Sequence, residues 1–413
     1  MIRAPAIGTS AAGGRWLARL IAVLAIVLGL IGCGSSPDGI VLWHAYSGAE
    51  REALETLAAE WNSAHPDAPL TLVAVPYDAF ADKITSAVPN GNGPDLFVYS
   101  HDRIGDWAAA GVIEPIAFWV DDPTADRFQP AALSAMVYDG ELWGLPLAVK
   151  CLALFYRTDR VTAPPRTTDE LFAMVPASRA RGAYPLAYVS ADLYGHAPWL
   201  SGFGGSVLDE HGAVKVATAE AAAALAFSKK LITSGVIPAE STGPLVGTLF
   251  NEGKIDMAIQ GPWFVGDIAP GVPWAVTTLP IVSETGRPAS PFLSAEGVLM
   301  SARAHDKQGA FAVMQFLASD HAAVLRATRA HQIVANVHAY DDATLAADPV
   351  QRGFRAQLAH AIPIPATPAM RTVWTPYASA LAKVQTSDTA PADALYDLES
   401  ELRRYAQTPD GAR

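Results

Sequence analysis

With 413 residues and a formal net charge of −12, the chain is too acidic to present a broad basic face to nucleic acid or to an anionic membrane surface. Only 17% of its residues are charged and 51% are hydrophobic, which fits a well-packed globular protein and excludes a disordered one. Its two cysteines, Cys33 and Cys151, cannot form a multi-disulfide framework.

The first predicted element is an export signal. Arg3, Arg15 and Arg19 precede an unbroken apolar stretch from Leu20 to Ile31, which is short for a membrane span and matches the apolar region of a signal peptide. Leu30-Ile31-Gly32-Cys33 resembles a bacterial lipobox. That resemblance implies cleavage of residues 1–32, a lipid on Cys33, and a polar tether over 33–38. Cleavage removes three arginines and no acids, so the charge moves from −12 to −15. About 380 residues remain, a length that suits two domains. Cys151 is then the one free thiol of the exported chain.

After the tether, Ile40 to Trp43 reads as a strand and Ala49 to His65 as a helix, with Leu54, Leu57, Ala58 and Trp61 on one face. Leu70 to Val75 is a second strand and Tyr77 to Val88 a second helix. The Gly/Asn/Pro cluster from Gly91 to Pro94 then breaks the chain ahead of a third, strongly apolar strand, Leu96 to Tyr99. The order βαβαβ predicts a parallel, doubly wound α/β sheet. Open sheets of this kind place ligands beyond the carboxyl ends of their strands. Two polar loops lie there: Tyr46-Ser47-Gly48 and Ser100-His101-Asp102-Arg103. Asp102 could equally serve as the N-cap of the helix that holds Trp107, and Tyr46 could be ordinary loop packing. Further on, Leu142 to Val149 is extended around Pro146 and leads into Leu152 to Tyr156, a crossover between units. Thr167-Thr168-Asp169-Glu170 forms a capping box that opens the next helix.

Several segments, taken together and in order, resemble the maltose-binding protein family, the extracellular solute-binding proteins of sugar ABC importers. They are Trp43, GNGPDLFVYSHDRIGDWAAAGVIEPI, YDGELWGLPLAVKCLALFYRTDR, PPRTTDEL, FNEGKIDMAIQGPWF and PAMRTVW. The resemblance implies a two-lobed, type II periplasmic-binding-protein fold of doubly wound sheets, with the ligand in the cleft between the lobes. It places lobe one at 39–147 and 297–336, and lobe two at 148–296 and 337–408.

Sugars present rows of hydroxyls and flat apolar C–H faces, so a sugar site needs acids, donors and aromatic rings. By resemblance, Tyr99 stands at a stacking position, Asp102 and Arg103 match a sugar-binding acid and arginine, and Asp192 and Tyr194 match an acid and a stacking tyrosine. Trp263 and Trp374 match two further aromatic platforms, although large aromatics taken singly are usually core. The chain departs from the maltose pattern at three places. Ser47 and Gly48 replace an aspartate and a lysine, Lys150 replaces a glutamate, and Ala378 replaces an arginine, with Arg371 nearby. Glu296 could restore an acid. Lys150 is either a solvated or ion-paired residue or a ligand contact; in the second case an anionic or phosphorylated substituent would fit.

The expected function is a lipid-anchored extracytoplasmic component that binds maltose, maltodextrin or a related oligosaccharide by lobe closure and hands it to permease subunits, as a monomer and without a cofactor. The rival class is a secreted glycoside hydrolase using Asp102 and Asp192. Arg103 beside Asp102 is expected to hold that acid ionised, and the sequence carries no HExxH, nucleophile motif or Cys/His metal cluster. A sensory role shares every residue named.

Overall fold

The computed structural model describes residues 39–209 and 212–406. The expected signal peptide, Cys33 and its tether lie outside the described residues.

Strand β1 (Ile40–His44) runs into helix α1 (Gly48–Ala64), strand β2 (Leu70–Ala74), helix α2 (Tyr77–Ala87), strand β3 (Leu96–Ser100) and helix α3 (Ile104–Ala109). β1 pairs in parallel with both β2 and β3, which makes the loops after β1 and β3 neighbours. The apolar stripe of α1 (Leu54, Leu57, Ala58 and Trp61) is buried, as its spacing predicts. Under the end of β3 the rings interlock: Phe80 stacks on Tyr99 at 5.2 Å, and Trp107 meets Phe97 edge-on at 5.2 Å and Tyr99 at 5.3 Å.

The next strands are β4 (Gly144–Lys150) and β5 (Ala153–Arg157), followed by α4 (Thr168–Ala173), β6 (Tyr184–Ala187), α5 (Leu193–Gly202), α6 (Ala219–Thr233), β7 (Ile255–Gln260), β8 (Trp274–Thr277) and β9 (Phe292–Met300). Thr167 caps α4 by accepting from the Glu170 N–H at 3.3 Å, while the Glu170 carboxylate accepts from the Arg166 N–H at 2.6 Å. Then come α7 (Asp320–Ala330), α8 (Pro349–Leu358), β10 (Ile362–Pro363), α9 (Pro368–Thr386) and α10 (Pro391–Ala406).

Two sheets result. The first has the order β10-β9-β3-β1-β2, with β4 on β9, and the second the order β8-β5-β7-β6. The first is mixed rather than wholly parallel, because β9 runs antiparallel to both β3 and β4. The chain passes from one sheet to the other between β4 and β5 across Cys151 and Leu152, both buried.

Residues 148–150 and 294–296 pair with one another at the ends of β4 and β9, within the first sheet. Beyond residue 336, Ala339, Tyr340 and Leu345 pack with Ala323 and Ala327 of α7, and Phe354 of α8 meets Phe155 of the second sheet at 5.9 Å.

Close backbone approach fixes the region where β3, β9 and β10 converge. The Gly105 N–H donates to the Ala366 carbonyl at 3.1 Å, and a Cβ on Gly105 would stand 2.2 Å from that oxygen, so only glycine fits. Beside it His101, fully buried, donates from Nε2 to the Ile364 carbonyl at 2.8 Å and accepts at Nδ1 from the Ala295 N–H at 3.1 Å. Burial lowers the imidazole pKa, and these two bonds fit the neutral ring.

Candidate functional site

Beyond the carboxyl ends of β1 and β3 lies a cavity of about 240 Å³ lined by Tyr46, Glu50, Tyr77, Tyr99, Lys150 and Glu296, among others. A neighbouring cavity of about 560 Å³ shares Glu50 and Lys150 with it. This second cavity is walled by Pro262, Trp263 and Val265 after β7 and by His331 and Gln332 after α7. The two form one cleft that draws on segments of both sheets.

Charge on its floor is already paired. The Lys150 ammonium donates to Glu296 Oε1 at 2.7 Å, and the Tyr46 hydroxyl approaches Glu296 Oε2 at 3.5 Å. Burial works to lower the Lys150 pKa, but the Glu296 charge and hydrogen bond, with Glu50 and Tyr77, outweigh it, so the ammonium is held above its usual range. Burial first, and the Glu296 charge second, push the Tyr46 phenol well up. Burial likewise raises Tyr99, so both remain neutral hydroxyls. Tyr77 stacks on Tyr99 with ring centroids 5.7 Å apart and is itself 61% exposed, which leaves a phenol at the rim.

Trp263 is held half-exposed. Its Nε1 donates to Gln260 Oε1 at 3.2 Å, and its six-membered ring lies over Gly261, where a Cβ would stand 2.2 Å from ring carbons. The glycine thus sets the ring's seat. Tyr194 leans toward Trp263 with centroids 6.4 Å apart.

Of the residues expected in the site, Tyr46, Tyr99, Lys150, Glu296 and Trp263 line this cleft, and Tyr194 adjoins it. Ser47 is exposed at the N-cap of α1 and makes no capping bond. Asp192 caps α5, accepting from the Gly195 N–H at 2.7 Å, and burial raises its carboxyl pKa. Trp374, on α9, packs edge-on against Phe292 at 6.1 Å. Asp102 occupies the short turn after β3 and caps no helix. Arg103 reaches Asp106 at 3.4 Å, and Asp106 also takes Arg371 at 2.8 Å. A turn of 3₁₀ helix over His101–Arg103 leads straight into α3, placing Asp106 one turn beyond Arg103.

Sequence reasoning missed Glu50, Tyr77 and Gln332. Glu50 reads as a first-turn acid complementing a helix N-terminus, and Gln332 carries no motif. Only the adjacency of β1 and β3, with the return of the chain after α7, brings them to the cleft.

Residues 47–324 match the family model described as bacterial extracellular solute-binding protein. The chain belongs to that family. The solute-binding protein described here is 28% identical over 390 residues to the maltotriose-binding protein of Pyrococcus abyssi, covering 91% of this chain and 82% of that one. It is 25% identical to the galactooligosaccharide-binding protein of Bacillus subtilis, covering 90% and 92%. Among solved structures it resembles a cyclo/maltodextrin-binding protein complexed with maltotetraose, with a TM-score of 0.84, 28% identity and coverage of 91% and 99%. It also resembles the maltotriose-binding protein of Thermus thermophilus bound with maltotriose, with a TM-score of 0.73, 25% identity and coverage of 88% and 99%. The fold of the solute-binding protein is thus the two-lobed type II arrangement, and its family is one of binding proteins rather than of enzymes.

Proposed function

We propose that this solute-binding protein is the extracytoplasmic, lipid-anchored component of a carbohydrate ABC importer, binding a maltodextrin or related di- or oligosaccharide and delivering it to permease subunits. The observation that carries the sugar reading is a cleft combining an exposed indole, stacked tyrosines and hydrogen-bonding charges, the combination that hydroxyl rows and apolar sugar faces require. The names of the relatives and the ligands in the solved structures support it. Tyr46, Tyr99, Lys150, Glu296 and Trp263 are the proposed contacts, with Tyr194 beside Trp263. Asp102 and Arg103, whose side chains are half-exposed at the end of β3, join them if closure brings the second lobe over that turn. Trp374 packs on Phe292 of β9 and Asp192 caps α5, so neither is among the first proposed contacts. The lipid anchor at Cys33 rests on the lipobox-like sequence. A ligand that gains contacts only when both sides meet shifts the protein toward its closed form, the form a permease would recognise.

A thermal-shift screen against maltose, maltotriose, galacto-oligosaccharides, common monosaccharides and sugar phosphates tests the reading. A ligand at a hundredfold its dissociation constant stabilises by about 2.7 kcal/mol. A rise with a neutral di- or oligosaccharide is expected; no rise with any sugar would refute the proposal. Hydrolysis through Asp102 and Asp192 is disfavoured because Asp192 is committed to its helix cap.

A further inference from the structure

Lys150 invites the reading of an anion anchor, but its surroundings argue the opposite. Its ammonium is 2.7 Å from Glu296, and the pair is only partly open to solvent, at 34% and 17%. A second acid, Glu50, lines both cavities beside it. Glu50 is not a loose surface acid. Gln332, 5% exposed, donates Nε2 to Glu50 Oε1 at 3.0 Å. The Gln332 carbonyl accepts from Gln351 Nε2 at 3.0 Å, and Gln351 Oε1 accepts from the Tyr340 hydroxyl at 3.2 Å. A chain of buried amides thus holds the carboxylate at the cleft, a construction that a solvated helix-terminus acid does not need.

We propose that Glu50 is a specificity-determining residue of the cleft: with Glu296 and Lys150 it makes an acid-biased subsite that reads uncharged sugar hydroxyls and excludes sugars bearing phosphate or carboxylate groups. The inference rests on the sugar-binding reading given above and narrows its substrate class. Two carboxylates, Glu50 and Glu296, face the one ammonium on the cleft wall, while the buried Arg326 guanidinium also acts on Tyr46. An anionic substituent would have to draw Lys150 away from Glu296, leaving a mostly buried carboxylate unpaired, and would face Glu50 as well. A hydroxyl requires no such exchange. It can donate to the Glu50 carboxylate and accept from the Lys150 hydrogens not used by Glu296, while the Tyr77 phenol at the rim offers a neutral donor.

The test is calorimetric titration of the full chain with maltotriose and a galacto-oligosaccharide, and with maltose 6′-phosphate and digalacturonate as charged counterparts. Like-charge juxtaposition at an interface costs several kcal/mol, so the anionic sugars are expected to bind at least about 100-fold more weakly. Glu50→Gln should weaken the neutral sugar about tenfold and narrow its lead over the anionic one. Glu50→Asp, which keeps the charge but shortens the reach, should lose neutral affinity and keep the discrimination. Anionic sugars binding as tightly as neutral ones would overturn the inference and leave the transport reading standing, as would Glu50→Gln affinities unchanged for both. Failure of every sugar, neutral and anionic, would instead overturn the sugar-binding reading and this inference with it.

Discussion

Replacing Trp263 with alanine probes the cleft most directly. The indole is 48% exposed. A tryptophan can bury up to about 250 Å², so roughly 120 Å² remains for a ligand to cover. At about 25 cal/mol per Å² full coverage is worth about 3 kcal/mol, and a single sugar face covering half of it about 1.5 kcal/mol. Trp263→Ala should therefore weaken maltotriose binding by between about tenfold and about 100-fold in a calorimetric titration. The free protein should also lose stability, because the buried half of the ring and its hydrogen bond to Gln260 go with it. By the same coefficient that half is worth up to about 3 kcal/mol, a fall of several degrees in melting temperature. Trp263→Phe keeps an aromatic face and should stay within about threefold of the parent. If Trp263→Ala binds maltotriose as tightly as the parent, the indole is no platform for the sugar.

Three further predictions follow from the charges. His196 is buried with neither ring nitrogen partnered among the described residues, and burial lowers its pKa from 6.5 to about 3. The unfolded chain therefore binds the extra proton first, and stability should fall as pH drops below about 6.5 and keep falling toward about 3, by up to about 5 kcal/mol. Urea denaturation at pH 7.5 and 4.5 should show a smaller acid loss in His196→Leu than in the parent; an identical loss would exclude His196 as the source. Lys150→Met and Glu296→Gln should each destabilise more than the double variant implies, with a coupling of about 1 kcal/mol given the partial exposure of the lysine, whereas additive effects would mean the pair is solvent-screened. Asp106→Asn, which leaves Arg103 and Arg371 without their shared partner, should cost under about 1 kcal/mol, and 1 M salt should shrink that difference.

The first βαβαβ segment was legible because its pattern is local. The strand and helix runs up to β3 follow apolar spacing and turn residues, and the structure places them within a residue or two of the expected ends. The mixed sheet was not legible, because β9 pairs with β3 across nearly two hundred residues and no local pattern encodes that partner. The same distance hid half of the site. Tyr46 and Tyr99 announced themselves as polar-aromatic strand ends, but Glu50 and Gln332 become a pair only when α1 and the end of α7 are folded together. Asp192 shows the converse: a residue matched by resemblance turns out to have a sufficient local reason to be there, the cap of α5.

His101 ties three pieces of chain with one side chain: the turn bearing Asp102 and Arg103, the β9 crossing strand at Ala295, and the final crossing at Ile364. None of the three can slide without breaking a buried imidazole bond. Displacing any one of them therefore disturbs the other two, and the ring works as an axle pin between the turn after β3 and the backbone at Ala295 and Ile364.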